Sequence, residues 1–434
     1  MTEATRGAAA VGQTAGAVAA EAAGQAAQPG DKLKFAFFWA AACGGCDVAV
    51  LDIHEKILDV AALADIYLWP VAMDFKYKDV ESLPDGFLDV AFFNGAVRNS
   101  EQEHLAHLLR RKAKTLVAFG SCACFGGIPS LANLFDREEI LDWVYGGTFS
   151  TENPAGVRPQ PSFAAPEGEL TLPRFYAGVY RLEDFVPVDY FLPGCPPTPE
   201  WVLRAVEAIA TGNLPPRGAV LALDKTVCDT CPREKTDKKV REFHRTWEII
   251  PDPKKCLLEQ GIVCMGPATR GGCEALCPSA NMPCRGCYGP TRGVVDQGAK
   301  MLSTVASILD SNDEEEIRLA LGRIEDPVGT FWRFGMAASL LRGRVFEPAA
   351  SEPAARFRGP ANVARRHFFR ALAGEVAQTA AAEAVAISDT TPAVASVTIN
   401  VPGPGFVKVG ASAQLNIEYS GSSSAVCTFA LADA

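Results

Sequence analysis

Twelve of the fourteen cysteines in this chain of 434 residues fall into groups whose spacing suits metal chemistry. Cys43 and Cys46 stand in CGGC, Cys122 in GSC and Cys195 in PGCPP. Eight more crowd into a short later stretch: Cys228 and Cys231 in CDTC, then Cys256, Cys264, Cys273, Cys277, Cys284 and Cys287. Thiolates are soft donors, and four of them are the common ligand set of a [4Fe–4S] cluster. Zinc is the rival, but structural four-cysteine zinc sites usually come as paired knuckles on one local segment. The first four cysteines come from distant segments, which favours a cluster. For CDTC with CRGC a zinc ribbon remains the competing reading. Eight thiols make two sets of four. The simplest partition takes Cys228, Cys231, Cys256 and Cys264 together, and Cys273, Cys277, Cys284 and Cys287 together; spacing alone leaves interleaved pairings open.

The elements that must position these thiols are legible around them. From Lys32, short β-type apolar runs alternate with helical patterns: LKFAFFWA, DVAVLDIHEKILDVAALA, DIYLWPVA, FLDVAFFNGAV, EQEHLAHLLRRK and TLVAFGS. That is βαβα punctuation, hence a parallel sheet covered on both faces. Gly146 to Pro173 reads as a surface insertion, after which VDYFLPG and the helix TPEWVLRAVEAIA resume the pattern, with Thr198 as N-cap and Pro199 at the first helical position. Cys43, Cys122 and Cys195 each follow a strand, and in a doubly wound sheet such turns meet at the carboxyl edge. Glycines 44, 45, 120 and 194 permit positive φ and close backbone approach there, and prolines 193, 196 and 197 stiffen the last turn.

The fold class expected is α/β: a flavodoxin-like doubly wound parallel sheet followed by an irregular, cysteine-rich two-cluster domain. The boundaries are a flexible tail at 1–31, the sheet domain at 32–215, the cysteine-rich domain at 216–345, and a linker with a small β-rich extension at 346–434. Beyond Pro215 periodicity thins while Cys, Gly and Pro thicken, so that segment needs staples other than a hydrophobic core. Residues 296–321 turn helical again and 327–344 form a short apolar coda. The end, VASVTINVPGPGF and VKVGASAQLNIEYS, alternates like a hairpin about a Pro-Gly turn.

Composition narrows the function. A net charge of −10 and a pI near 5.2 leave no basic stripe for phosphate backbones, so nucleic acid is not an expected partner. No apolar run is long enough to cross a bilayer; the one from Val60 to Val71 is short and interrupted by Asp65. Without an apolar leader, fourteen thiols fit metal binding in a reducing cytosol better than a disulfide framework.

Other features have plain readings. Cys124 reads as a small buried hydrophobe, and Cys427 lies in the tail without an assigned role. His54, His104 and His107 fall on helical patterns without metal-ligand spacing. Asp47 either modulates a neighbouring cluster or compensates a helix dipole. DSNDEEEIR reads as a capped helix start, and ARRHFFRALAG at 364–374 as an amphipathic helix rather than a twin-arginine signal.

CGGCDVAVLD, GSCACFGGIP, FLPGCPPTPEWV, CDTCPREK and PCRGCYGPTRG together resemble the small subunit of nickel–iron hydrogenases, most of all the cytoplasmic viologen-reducing type linked to heterodisulfide reductase. The resemblance covers about residues 33 to 344. It implies that Cys43, Cys46, Cys122 and Cys195 hold a proximal cluster beside a nickel–iron centre in a partner large subunit, and that the other sets are medial and distal. Many relatives carry a histidine where Cys228 stands and a proline where Cys277 stands. Both departures favour three [4Fe–4S] clusters, with [3Fe–4S] the other state open to the middle one. Catalysis then belongs to the large subunit, further electron-acceptor subunits become candidate partners, and the absence of a twin-arginine leader implies the cytoplasm. The first-domain motifs also resemble the 20 kDa subunit of NADH:ubiquinone oxidoreductase, from which CGGC and the thiols at 228–287 depart. A quinone- or ferredoxin-linked relay and a zinc-stabilised assembly module are the alternatives.

Overall fold

A computed structural model describes residues 32–236 and 239–341 and three strands further on. The expected tail at 1–31, the linker from 346, the helix at 364–374 and the Cys427 side chain lie outside the described residues. In chain order the strands of the first part are β1 (Leu33–Trp39), β2 (Ala64–Leu68), β3 (Leu88–Asn94), β4 (Val97–Asn99), β5 (Ala113–Phe119), β6 (Ser162–Ala165), β7 (Gly168–Thr171), β8 (Phe175–Tyr180), β9 (Tyr190–Leu192) and β10 (Ala219–Val220). Six of them form one parallel sheet in the order β10-β9-β5-β3-β1-β2. The chain leaves β1 toward β2 on one side and returns to β3 on the other. That reversal is the flavodoxin-like switch point, and it opens a crevice at the carboxyl ends of β1 and β3.

The strands are apolar on both sides because both faces are covered. Phe35, Phe37, Val90 and Phe92 pack on one face with Val50 of the helix Gly45–Leu51 and Val202 and Val206 of the helix Pro199–Ala210. Phe38 and Phe93 pack on the other with Leu105, Leu108 and Leu109 of the helix Ser100–Lys112. Phe92 is the hub of the first face, stacked on Phe37 at 4.9 Å and edge-on to Phe35 at 5.7 Å. Truncating it leaves a cavity that rigid strands cannot close. Phe92→Ala should therefore lower the unfolding free energy by about 3–5 kcal/mol, read as an earlier midpoint in urea at unchanged slope.

Local signals set the helix Ser100–Lys112. Asn99 accepts from the Gln102 N–H at 2.9 Å while the Gln102 side chain accepts from the Asn99 N–H at 3.2 Å, a reciprocal cap. Tertiary demands overrule them elsewhere. The stretch expected as one helix from Asp47 onward breaks, because His54 adopts φ 58° between the helices Gly45–Leu51 and Ile57–Leu63. The break lets Ile53 turn into the core, where it is buried. Thr198 does precede Pro199 at the head of its helix, yet its side chain makes no capping bond. Its backbone N–H donates instead to the Tyr288 hydroxyl at 3.0 Å, so docking on the cysteine-rich segment sets this turn.

The insertion lies on the surface as expected, with a β6–β7 hairpin that exposes Phe163 and Leu170, and β8 pairs antiparallel with β4. After β10, which closes the sheet beside β9, the backbone offers only single-turn helices and loops until the helices Gln297–Ile308 and Glu314–Gly322. Asp313 caps the second, accepting from the Glu316 N–H at 3.0 Å, as the acidic run implied. Asp296 caps the first and also accepts from Trp332 Nε1 at 2.9 Å and Ser339 Oγ at 2.6 Å, which ties down the apolar coda.

By contacts the chain divides into residues 1–140 with 159–379, and residues 141–158 with 380–434. The second unit holds strands β11 (Ser396–Val401), β12 (Leu415–Ser420) and β13 (Ala425–Leu431). The expected hairpin of β11 on β12 is not what forms. β13 lies between them and pairs antiparallel with both, because AVCTFAL is itself a β-type run joined to β12 by four residues, a shorter closure than the one between β11 and β12. No helix among the described residues is long and apolar enough to cross a membrane.

Candidate metal centres

Cys43 follows β1, Cys122 opens out of β5 on the helix Gly120–Phe125, and Cys195 follows β9, so three strand ends deliver thiols to one edge. Cys46, on the first turn of the helix Gly45–Leu51, faces them. Burial drives its thiol far above the ordinary range, and the charges of Cys122, Cys195 and Asp47 add to the effect. Burial pushes Cys122 up to about 12, with Cys195 and Cys43 adding, and raises Cys195 with help from Cys43. Cys43, Cys46, Cys122 and Cys195 are thus electrostatic neighbours at one sheet edge.

Glycine makes room for it. Gly120 has φ 83°, and a Cβ there would overlap the Cys46 sulfur; a Cβ on Gly127 would overlap that of Cys122. Gly44 and Gly194 also carry positive φ as expected, whereas Gly45 opens a helix and does not need it. Asp47 is buried, and its carboxylate accepts from Trp69 Nε1 at 2.9 Å and Asn94 Nδ2 at 2.7 Å. Two neutral donors thus hold a carboxylate next to the site.

Two further groups of thiols form in the second segment. Burial pushes Cys228 up to about 12, and Cys264, Cys256 and Cys231 raise it further. Cys264, pushed up to about 11 by burial, also faces Cys256 and Cys231. Gly266 leaves space against this set, since a Cβ on it would stand 3.0 Å from the Cys228 sulfur. In the other group, burial pushes Cys287 up to about 12 with Cys273 and Cys277 contributing, and Cys277 adds to the rise of Cys273. Burial lifts Cys284 well above its ordinary value, with Cys264 the larger thiol contribution and Cys287 a smaller one, so Cys284 neighbours a thiol of each consecutive set.

Cys195 adds to the rise of the Cys287 thiol, and the Ser121 hydroxyl donates to the Cys287 carbonyl. At the other end the Cys284 N–H donates to the Cys264 sulfur at 3.2 Å. Cys287 thus lies toward the sheet edge and Cys284 against Cys264.

Arg233, which the sequence did not single out, organises the second segment. It is buried, and its guanidinium donates to the carbonyls of Pro278 at 2.9 Å, Asp252 at 2.8 Å and Lys255 at 2.9 Å, and to Asn281 Oδ1 at 2.6 Å. One side chain thus ties together the loops that follow Cys231, precede Cys256 and follow Cys277. Its signal was the CPREK motif, read only as a resemblance.

Cys124 is buried and donates to the Ala118 carbonyl at 3.3 Å, the packing role expected of it. His104 and His107 lie on the surface near Glu81 and Glu103. Among the described residues no three Cys, His, Asp or Glu side chains come close enough to hold a single metal ion. Zinc, with bonds of about 2.3 Å to each sulfur, would draw its four ligands tightly together, and an iron–sulfur cubane takes a wider set. Soft thiols set against glycine at Cys46, Cys122 and Cys228, with N–H groups on the Cys43 and Cys264 sulfurs, are a donor set that suits iron–sulfur chemistry. Thiols raised this far hold their protons at neutral pH, so loading iron releases them.

A family described as "NADH ubiquinone oxidoreductase, 20 Kd subunit" matches residues 43–209. The iron–sulfur subunit of the F420-non-reducing hydrogenase of Archaeoglobus profundus is 41% identical over 322 residues, covering 73% of this chain and 99% of that protein. The chain belongs to that hydrogenase small-subunit family. The corresponding F420-non-reducing hydrogenase subunit of Methanothermobacter thermautotrophicus is 37% identical over 316 residues, covering 72% of this chain and 96% of the relative. The hydrogenase small subunit also shares 31% identity with a chain from the structure of a NAD+-reducing [NiFe]-hydrogenase in the H2-reduced state, covering 42% of this chain and 93% of that one at a TM-score of 0.36. As a hydrogenase subunit it is part of an oxidoreductase, and the 20 kDa match falls on its sheet domain.

Proposed function

We propose that this hydrogenase small subunit carries electrons from H2, split into 2H⁺ and 2e⁻ at a nickel–iron centre in a partner large subunit, through three [4Fe–4S] clusters to an acceptor. The observation that supports this reading is the run of thiols from the sheet edge outward, with Ser121 bonded to Cys287 and Cys284 bonded to the Cys264 sulfur. Cys43, Cys46, Cys122 and Cys195 hold the proximal cluster, Cys273, Cys277, Cys284 and Cys287 the medial one, and Cys228, Cys231, Cys256 and Cys264 the distal one. When bound, the clusters take up and release electrons one at a time, at potentials that ligation, hydrogen bonding and burial tune over roughly −700 to +450 mV. The protein's own part is to fix twelve thiolates, aim N–H groups at their sulfurs and keep water away.

Cys124 and Cys427 are the thiols left after this assignment, too few for a nickel site. The large subunit docks over the first site, where Trp39, Val48, Leu51 and Leu58 are exposed apolar side chains close to CGGC. The domain boundaries read from the sequence, at 215 and 345, are kept as part of this proposal, and the cytoplasm is the compartment that keeps so many thiols reduced. Purified with its partners, the complex should reduce viologen under hydrogen and contain four irons per site. Iron-replete complex without hydrogen-dependent reduction would point to a quinone- or ferredoxin-linked relay, and colourless, zinc-bearing protein to an assembly module.

Cys277 is exposed, the medial thiol most open to loss. Cys277→Pro removes one anionic ligand, leaving Cys273, Cys284 and Cys287 to hold a [3Fe–4S] cluster whose reduced state is favoured. Electron paramagnetic resonance of the oxidised complex should gain the sharp signal of that centre. An unchanged spectrum and iron count would remove Cys277 from the ligand set.

A further inference from the structure

Beside Val263 and Pro283, the chain neighbours of Cys264 and Cys284, a cavity of about 180 Å³ is lined by four guanidinium groups, those of Arg245, Arg285, Arg323 and Arg333, together with Trp247 and Asp326. Two of the four are balanced. Arg245 pairs with Glu325 at 2.9 Å, and Arg323 with Glu248 at 3.0 Å. Arg333 donates Nε to the Gly329 carbonyl at 2.9 Å, and among the described residues neither it nor Arg285 forms an ion pair with a carboxylate. Asp326, the carboxylate in the lining, accepts from the Gly329 N–H at 2.8 Å as a helix cap. Arg245 lies 4.9 Å over the Trp247 ring, and its Nε is buried without an acceptor. A surplus of positive charge around one cavity, with a buried, orphaned donor, is half of an ion-binding site.

We propose that this pocket binds a small oxyanion of the phosphate class, free or as a monoester. A phosphate carries close to two charges at neutral pH and offers several acceptor oxygens, which matches two unpaired guanidinium groups and the buried Arg245 Nε. Planar guanidinium forks suit such oxygens in pairs. The volume exceeds the roughly 30 Å³ share of a single water severalfold, enough for the anion and part of an attached group against Trp247. The pocket is independent of the relay reading, because it requires arginines and no cluster.

The test is titration calorimetry of the full chain in its native complex with inorganic phosphate at low ionic strength, and in a second arm with a nucleoside monophosphate. Saturable binding is expected, weakened at least tenfold by Arg333→Gln and less by Arg333→Lys, with iron content and circular dichroism unchanged. Tighter binding of the monophosphate assigns the site to the ester, and equal binding to the free anion. Heat no larger than that of dilution in the unsubstituted complex, or equal affinity in the folded Arg333→Gln complex, overturns the proposal. Should that variant lose iron, Trp247→Ala decides in its place, because a built site loses affinity for the monophosphate there.

Discussion

Replacing Cys287 by alanine is expected to stop hydrogen-driven reduction of any acceptor while leaving the protein folded. Cys287 neighbours Cys273, Cys195 and Cys277, and its carbonyl accepts from the Ser121 hydroxyl at the sheet edge. On the proposed assignment its loss removes a ligand from the middle of the series. Electrons entering beside Cys43 then have no near neighbour to pass to, and viologen reduction by the complex should fall to background. The protein should also lose iron from one site alone. Cys124→Ala is the control, since Cys124 is buried, donates to the Ala118 carbonyl and lies outside the proposed ligand sets. It should cost about 1 kcal/mol in stability and change neither iron content nor turnover. If Cys287→Ala reduced viologen at the normal rate, a series running through the middle group would be wrong.

Arg233→Lys should be nearly as damaging as Arg233→Ala. The guanidinium reaches three carbonyls and one side-chain oxygen across loops that carry Cys231, Cys256 and Cys277. An ammonium keeps the charge but has three donors on one atom and cannot span acceptors set around a planar fork. At least one buried acceptor is left unpaired in either variant, and burying a displaced lysine adds its own penalty, so a loss of about 3–5 kcal/mol is expected. The cysteine-rich segment has little regular backbone to absorb this. Limited proteolysis of the variant complex should open the chain between 232 and 282 first, with iron lost in parallel. Retention of full iron with normal protease resistance would mean that ligation alone holds these loops.

Much of this was readable from residue order because the signals are local. Apolar runs such as LKFAFFW and LDVAFFN can be satisfied on both faces only inside a covered parallel sheet, and a cysteine directly after such a run goes to the sheet's carboxyl edge. The position of the first four thiols therefore follows from where strands end. What residue order left open depends on distant partners. Thr198 has the right type for a cap, but a hydroxyl on Tyr288, ninety residues away, sets its turn. His54 sits in a helical pattern, yet burying Ile53 breaks the helix there. Arg233 looks like any surface arginine until three loops converge on it. Spacing left the pairing of the last eight thiols open, and it could not say which of them stands next to the sheet. That is decided by Ser121 and Thr198 on the sheet edge docking against Cys287 and Tyr288. Contacts between segments this far apart carry no periodicity along the chain, so only the folded structure could bring Cys287 to the sheet edge and Cys284 against Cys264.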